Sequence, residues 1–540
     1  MKMFDAKSNA FDEFGFMADC SRGAVPTIET LKKLSDILVQ FGYTYLGLYL
    51  EDMYEIEGEP YFGYMRGRYS REEIRELDEY CRKRNLELRP CIQTLAHLGR
   101  LKRHRDYFRL FDIDDILTVN DPEVYTLIDK MFRSVSSCFS SRRIHIGMDE
   151  AMNLGRGKFL DLNGREKKSK IMEMHLKKVS EIARKYGFRC EIWADMCSMA
   201  FEEEERRFEL DIPENIVPVV WRYEKVGEEN TRKELERYLK ICSGKIHYAG
   251  GAWKWIGLVP ANRYSFETIR EQIEALRAYG IRSYMLTAWA DAGGAASLFS
   301  VLPSIFYASL MAHGRDLDEK AESFFRQVVS IGFDEFLKIE ELNRFSEKES
   351  VYRNNAAYVL LYNDLFLGLF DELIPEGIGN RSKKCARSLS RLTKNKRFGY
   401  LFASIRDLAL INAEKASLSR EIYENYRAKN ESKLKENAER IESIISRVDR
   451  LIVDFESQWE RENKGFGLEK HLIRLGGLKE RMRYCRGQIL RWLLREIDSI
   501  DELEEERRDI SCPYWDHDKP ENNYFNEYAG IVSGNNLSEI

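Results

Sequence analysis

The sequence predicts an α/β fold, a (β/α)8 barrel of the TIM type followed by an all-α helical domain. Three observations carry this reading. With 540 residues the chain is too long for one average domain. Up to about residue 310, short apolar runs alternate with amphipathic stretches of helical period. Beyond His313 only the helical period remains. A barrel over residues 1–312 and a helical domain over 313–540 follow.

Eight runs read as strands: Phe14–Asp19, Tyr45–Asp52, Leu88–Leu95, Arg143–Glu150, Arg189–Met196, Ile216–Glu224, Ile246–Trp253 and Ser283–Asp291. Between most of them lie segments such as "TIETLKKLSDILVQFG", with apolar residues three and four apart and a glycine as helix stop. Strands alternating with helices build a parallel sheet, and eight such units close it. In the second half, Ile441, Ile444, Ile445, Val448, Leu451, Ile452 and Phe455 form one apolar stripe with charges opposite. The tail after Cys512, which holds Trp515, is aromatic and rich in turn formers, and is expected to be an irregular docked segment.

Composition narrows the function. The 85 basic and 90 acidic residues nearly cancel, so neither nucleic acid nor anionic membrane is an expected partner. The N-terminus carries Asp5, Asp12 and Glu13 where a secretory signal needs an apolar core, which predicts a soluble, cytoplasmic protein. Ten cysteines without a CxxC pair read as reduced thiols.

A barrel of this type builds its site at the carboxyl ends of its strands. Those ends bring Asp19 and Arg22; Glu51 and Asp52; His97; Asp149 and Glu150; Trp193 and Asp195; Trp221 and Tyr223; Trp253 and Trp255; Trp289 and Asp291. Any one tryptophan is an ordinary core residue, but five of the chain's eight arrive here. Flat aromatic walls among acids and an arginine suit a pyranose ring, with its apolar C–H faces and hydroxyl edges.

Adjacent strand residues point to opposite faces, so Asp149 and Glu150 share a ligand only if the strand ends before them, as Gly147 allows. Two close carboxylates raise the apparent pKa of the pair, which suits a general acid. His145 reads as a core histidine, whereas His97 is open to an orienting or proton-network role. A metal site from His97, His145, His247, Asp52 and Asp149 lacks HxH or HExxH spacing, and no metal is expected.

These residues resemble a known family. "HIGMDEAMNLGRG" is similar to the His-x-Gly-x-Asp-Glu signature of family 20 glycoside hydrolases, the β-N-acetylhexosaminidases, and to their bacterial branch with a C-terminal helical domain. "DCSRGAVPTIETLKKL", "LYLEDMYEIEGEPYFGYMRGRYS", "IQTLAHL", "AGGAWKWIGLVPAN" and "SLFSVLPS" extend the resemblance over most of residues 14–310. It implies an exo-acting, retaining enzyme for terminal N-acetylglucosamine or N-acetylgalactosamine, with no cofactor. The substrate's own 2-acetamido carbonyl attacks the anomeric carbon in this family. Glu150 is then the general acid and base, Asp149 orients the acetamido group, and Tyr223 donates to its oxygen. Arg22 matches the arginine that holds O3 and O4, and Asp291 the acid near O4 and O6. Trp193, Trp221 and Trp289 would line the pocket with Trp253 adjacent, while Asp52 and His97 relay polarity toward the acid.

Ala292 and Ala295 depart from the family pattern, Ala295 replacing a common glutamate, which leaves the choice of amino sugar open. Two rivals remain: a non-hydrolytic amino-sugar-binding protein on the same barrel, and a metal-dependent barrel hydrolase. The helical stripes could cover the barrel or form a homodimer interface.

Overall fold

The computed structural model describes residues 3–4, 8–198, 211–242, 244–291, 293–345 and 355–508; Ala292, Cys512 and Trp515 lie outside them. The chain separates into two compact units. The first comprises Met1–Ala252, Phe266–Trp289 and Ile305–Leu317, and the second Trp253–Ser265, Ala290–Ser304 and Asp318–Ile540.

The first unit is a closed barrel of eight parallel strands in sequence order. They are β1 (Glu13–Asp19), β2 (Tyr45–Tyr49), β3 (Glu87–Cys91), β4 (Arg143–His145), β5 (Arg189–Trp193), β6 (Ile216–Trp221), β7 (His247–Gly251) and β8 (Ser283–Ala288). All eight expected strands form. Several stop earlier than their apolar runs, most clearly β4, which ends at His145 instead of Glu150 because Gly147 and Met148 turn to φ 71° and 73°.

Connecting helices begin where side-chain oxygens can accept the first free amides. Thr27 caps α1 (Ile28–Gln40), and Ser70 with Glu73 forms a reciprocal capping box on α2 (Arg71–Arg82). Both helices turn leucine- and isoleucine-bearing faces inward.

The barrel interior holds a paired ionic layer. Arg89 binds Glu13 at 2.7 Å and Glu87 at 2.7 Å while its guanidinium lies 3.7 Å from the Tyr45 ring centroid. His247 Nδ1 meets Glu191 Oε1 at 2.6 Å. Burial pushes the Glu191 carboxyl up, but His247 and Arg89 more than offset it and hold it down to about 2. Glu13, Glu191 and His247 bring three potential ligand atoms within 4.8 Å, but Glu13 is already neutralised by Arg89 and Arg143.

The second unit is mainly helical. Its longest helix, Glu431–Glu462, buries the expected stripe from Ile441 to Phe455 except for Ile452, which is half-buried. The segments that follow β7 and β8 group with these helices. Asn343 donates to the carbonyls of Val259 and Pro260 at 3.1 Å each, and the Ser297 hydroxyl reaches the buried Glu462 carboxylate at 2.6 Å. His471 Nε2 donates to the Gly293 carbonyl at 2.9 Å. Nine cysteines, from Cys20 to Cys485, are unbridged and buried. Among the described residues no helix is long and apolar enough to cross a membrane.

The barrel lumen leaves no room at Gly15, where an added Cβ would lie 1.9 Å from the Tyr45 ring. Gly15→Ala should therefore lower stability by about 2–3 kcal/mol, read as a reduced urea midpoint at unchanged slope. An unchanged midpoint would show that the ring can move aside.

Candidate active site

The carboxyl ends of β2, β3 and β4 are followed by non-glycine residues in the left-handed region: Glu51 (φ 47°), His97 (φ 58°), Met148 (φ 73°) and Glu150 (φ 55°). Each such residue costs about 1–3 kcal/mol, so surrounding contacts must hold it there. For three of them a side chain accepts the backbone N–H. Asp115 accepts the His97 backbone N–H at 3.0 Å, Gln93 Oε1 accepts that of Met148 at 3.1 Å, and Asp195 accepts that of Glu150 at 2.9 Å.

The two adjacent acids have opposite environments. Asp149 is 9% exposed. One of its oxygens accepts from the Gln93 amide at 2.7 Å, and the other faces His97 Nε2 at 3.1 Å. Glu150 has a side chain 53% exposed, with a carboxylate oxygen 3.6 Å from the same imidazole nitrogen. Burial raises the Asp149 carboxyl, but His97 and Gln93 outweigh it and hold it below its ordinary value. Burial likewise presses the His97 imidazole down, and Asp149 pulls it up to about 10. At neutral pH this is a carboxylate–imidazolium pair. Mutual repulsion of neighbouring acids therefore does not set the state of Asp149. Asp195, by contrast, is pushed up to about 7 by burial and by the Asp149 charge.

Around this pair the structure gathers most of the expected residues. Arg22 lies 3.9 Å from Asp19 and 3.4 Å from Glu51. Burial pushes the Glu51 carboxyl up to about 7 against the pull of Arg22. The Tyr49 ring meets Trp289 edge-on at 4.7 Å, and Trp289 lies 5.8 Å from Trp193 and 6.4 Å from Tyr223. Trp221 stacks on Tyr223 at 5.2 Å, with its indole N–H 3.4 Å from Asp195.

Other expected residues have partners of their own or belong to the second unit. Asp52 pairs with Arg66, and it is Glu51 and Asp149 whose charges act on His97. Trp253 and Asp291 group with the second unit. There Trp253 is fully buried against Trp255 and Tyr264, with no exposed ring face. Ala295 is also buried in that unit. His145 is 1% exposed, and its Nδ1 accepts the Gly147 N–H at 3.1 Å, so it is a neutral core residue with its pKa pressed down to about 4 by burial.

Gln93 was not singled out from the sequence, yet it binds Tyr49, Asp149 and the Met148 amide together. An added Cβ at Gly147 would strike its Oε1 at 1.9 Å. The available signal was a glutamine at the end of an apolar strand run, where a buried amide needs several partners.

An ion-paired, hydrogen-bonded carboxylate thus stands beside an imidazolium and several indoles at the carboxyl end of a parallel barrel. The comparisons carry this to a family. The model of the family 20 glycosyl hydrolase catalytic domain matches residues 15–250, and that of the Glycoside Hydrolase 20C C-terminal domain matches residues 334–522. The chain belongs to glycoside hydrolase family 20. It is 24% identical to Hexosaminidase D of Homo sapiens over 243 residues, covering 43% of this chain and 49% of that protein. The chain thus spans about half the length of this curated relative. Hexosaminidase D of Bos taurus is 23% identical over 354 residues, covering 60% of this chain and 97% of the relative. Among solved structures, an exo β-N-acetylglucosaminidase of Vibrio harveyi in complex with N-acetylglucosamine has a TM-score of 0.45 at 15% identity, covering 61% of this chain and 58% of its own.

The His97–Asp149 pair predicts a pH-dependent stability. The raised imidazole contributes fully below about pH 6.5 and loses its contribution as pH rises through about 10. The lowered carboxyl contributes above its unfolded value and loses its contribution on acidification. His97→Gln should therefore be less stable than wild type by roughly 3 kcal/mol near pH 6, and the gap should narrow toward pH 10. Urea unfolding at several pH values reads the gap directly. A gap constant over that range would mean His97 is not ionised.

Proposed function

We propose that the chain is an exo-acting β-N-acetylhexosaminidase that removes terminal N-acetylglucosamine or N-acetylgalactosamine with retention, through attack by the substrate's own acetamido oxygen. The observation that carries the proposal is the unequal setting of Asp149 and Glu150: one buried and ion-paired, the other half-exposed. The similarity to Hexosaminidase D and the family membership support it.

In this reading Glu150 protonates the glycosidic oxygen as the C1–O bond breaks. The acetamido carbonyl oxygen forms a bond to C1 from the opposite face, giving an oxazolinium ion. Asp149 accepts the acetamido N–H and offsets the charge developing on nitrogen, a contact strongest in the transition state. Water, deprotonated by Glu150, then attacks C1 and reopens the ring. His97 lies 3.1 Å from Asp149 and 3.6 Å from Glu150, so its charge keeps Asp149 ionised and compensates the carboxylate that Glu150 becomes. Arg22, backed by Asp19 and Glu51, would hold the distal hydroxyls. Trp193, Trp221 and Trp289 would wall the acetamido pocket, and Tyr223 would donate to its oxygen.

Turnover of a nitrophenyl β-N-acetylglucosaminide tests the reading. Glu150→Gln should lower kcat by about 10²- to 10⁴-fold for a poor leaving group and much less for nitrophenolate, which needs no proton. Asp149→Asn should lower it by about 10²- to 10³-fold for both. A folded wild type that hydrolyses no 2-acetamido glycoside would overturn the assignment. A thiazoline mimic of the bicyclic intermediate should bind at least about 100-fold more tightly than the free sugar; equal binding would remove substrate assistance.

A further inference from the structure

The segments after β2 and β3 carry a feature that the proposed hydrolysis of one sugar does not use. Tyr61, Tyr64, Met65 and Phe108 are 40%, 49%, 69% and 65% exposed, an unusual density of bare apolar surface. Tyr61 stacks on His104 at 4.9 Å and 17°, and Tyr64 meets Tyr61 edge-on at 5.7 Å. The stack joins the two segments into one aromatic ledge.

Around His104 the charge is one-sided. Between Arg100 and Arg109 five cationic side chains face a single acid, Asp106, in a chain whose overall charge is −5. Lys102, Arg103, Arg105 and Arg109, with Phe108 and the single acid Asp106, line an open basin of about 620 Å³. Arg109 is neutralised by Glu123 at 2.7 Å, but among the described residues no carboxylate lies within ion-pair distance of Arg100, Arg103 or Arg105. The Arg100 guanidinium is pressed below its ordinary range, first by burial and then by Arg66, Arg103 and Arg22, with Glu51 opposing. Such concentrated positive charge costs stability unless an anion relieves it.

The ledge is tied to the candidate active site. Arg66, one residue after Met65, bonds both Asp52 and the carbonyl of Ser21, the residue before Arg22. Arg100 lies three residues beyond His97 and within electrostatic range of Arg22 and Glu51.

We propose that the β2 and β3 segments form an outer subsite for an acidic aglycone, in which the sugar next to the cleaved residue rests on Tyr61 and Tyr64 while Arg100, Arg103 and Arg105 hold its carboxylate or sulfate. This rests on the hexosaminidase reading. An aromatic face suits a pyranose, and guanidinium groups suit planar or tetrahedral oxyanions. The tie to Asp52 and Ser21 favours a glycan over a membrane surface, because it places the ledge beside the sugar pocket.

Calorimetric binding to the Glu150→Gln protein tests this without turnover. Three β-N-acetylglucosaminyl disaccharides are compared, with glucose, glucuronate or glucose 6-sulfate at the reducing end. The acidic pair should bind about tenfold more tightly at low salt, with the advantage shrinking toward 0.5 M salt, roughly as screening requires. The glucuronate and sulfate arms tell which oxyanion is favoured. Arg103→Gln with Arg105→Gln should abolish the advantage, and Arg103→Lys with Arg105→Lys should restore part of it, separating charge from folding. Equal affinity for all three disaccharides would overturn the subsite, as would a preference for anionic phosphatidylserine vesicles without discrimination among the sugars. In the first case hydrolysis of the nitrophenyl glucosaminide would persist, so the hexosaminidase reading would stand. Loss of both binding and hydrolysis would overturn the two together.

Discussion

A carboxylate buried at the mouth of a barrel must be paired or it will not stay ionised, and the site of this protein is organised around that requirement. Asp149 is met by His97 on one side and Gln93 on the other. Each partner needs support of its own. His97 takes a left-handed backbone held by Asp115, and Gln93 is fixed by Tyr49 and the Met148 amide. The ends of β2, β3 and β4 are thus tied to one oxygen pair. Glu150, immediately after it, lies 3.6 Å from the same imidazole but stays half-exposed.

The second unit has an analogous economy of buried polar groups. Glu462, Asn343 and His471, all nearly inaccessible, spend their hydrogen-bonding capacity on the segments that follow β7 and β8. Buried polar side chains that bond to backbone specify one conformation where apolar packing alone would accept several. The helical unit therefore does more than fill space with its apolar stripe: it fixes the course of two segments that leave barrel strands.

The barrel was legible because its signal is periodic. Eight apolar runs alternating with amphipathic helices produced eight strands, and six of the seven stripe residues from Ile441 to Phe455 are buried, Ile452 being half-buried at the edge. Strand ends were less legible, since Ile146 and Met148 continue an apolar pattern while the backbone at Gly147 and Met148 has already turned. Placing Asp149 and Glu150 at a strand end did not reveal their difference, because that comes from Gln93 and His97, which are distant in the chain. Asp52 and Glu51 illustrate the same point: adjacent in sequence, they face Arg66 and Arg22 respectively. Tryptophans after strands read alike for the opposite reason: Trp193 and Trp253 are both almost fully buried, one beside Trp289 and the other against Trp255 and Tyr264.

The central claim is that Asp149 steers a nucleophile belonging to the substrate. The most direct measurement is kcat/KM for a series of nitrophenyl glucosaminides in which the acetamido methyl carries none, one, two or three fluorines. Each fluorine withdraws charge from the carbonyl oxygen while changing the group's size only slightly. The account predicts a steep, monotonic fall across the series. A flat series would contradict it, and would mean that the nucleophile comes from the protein or from water.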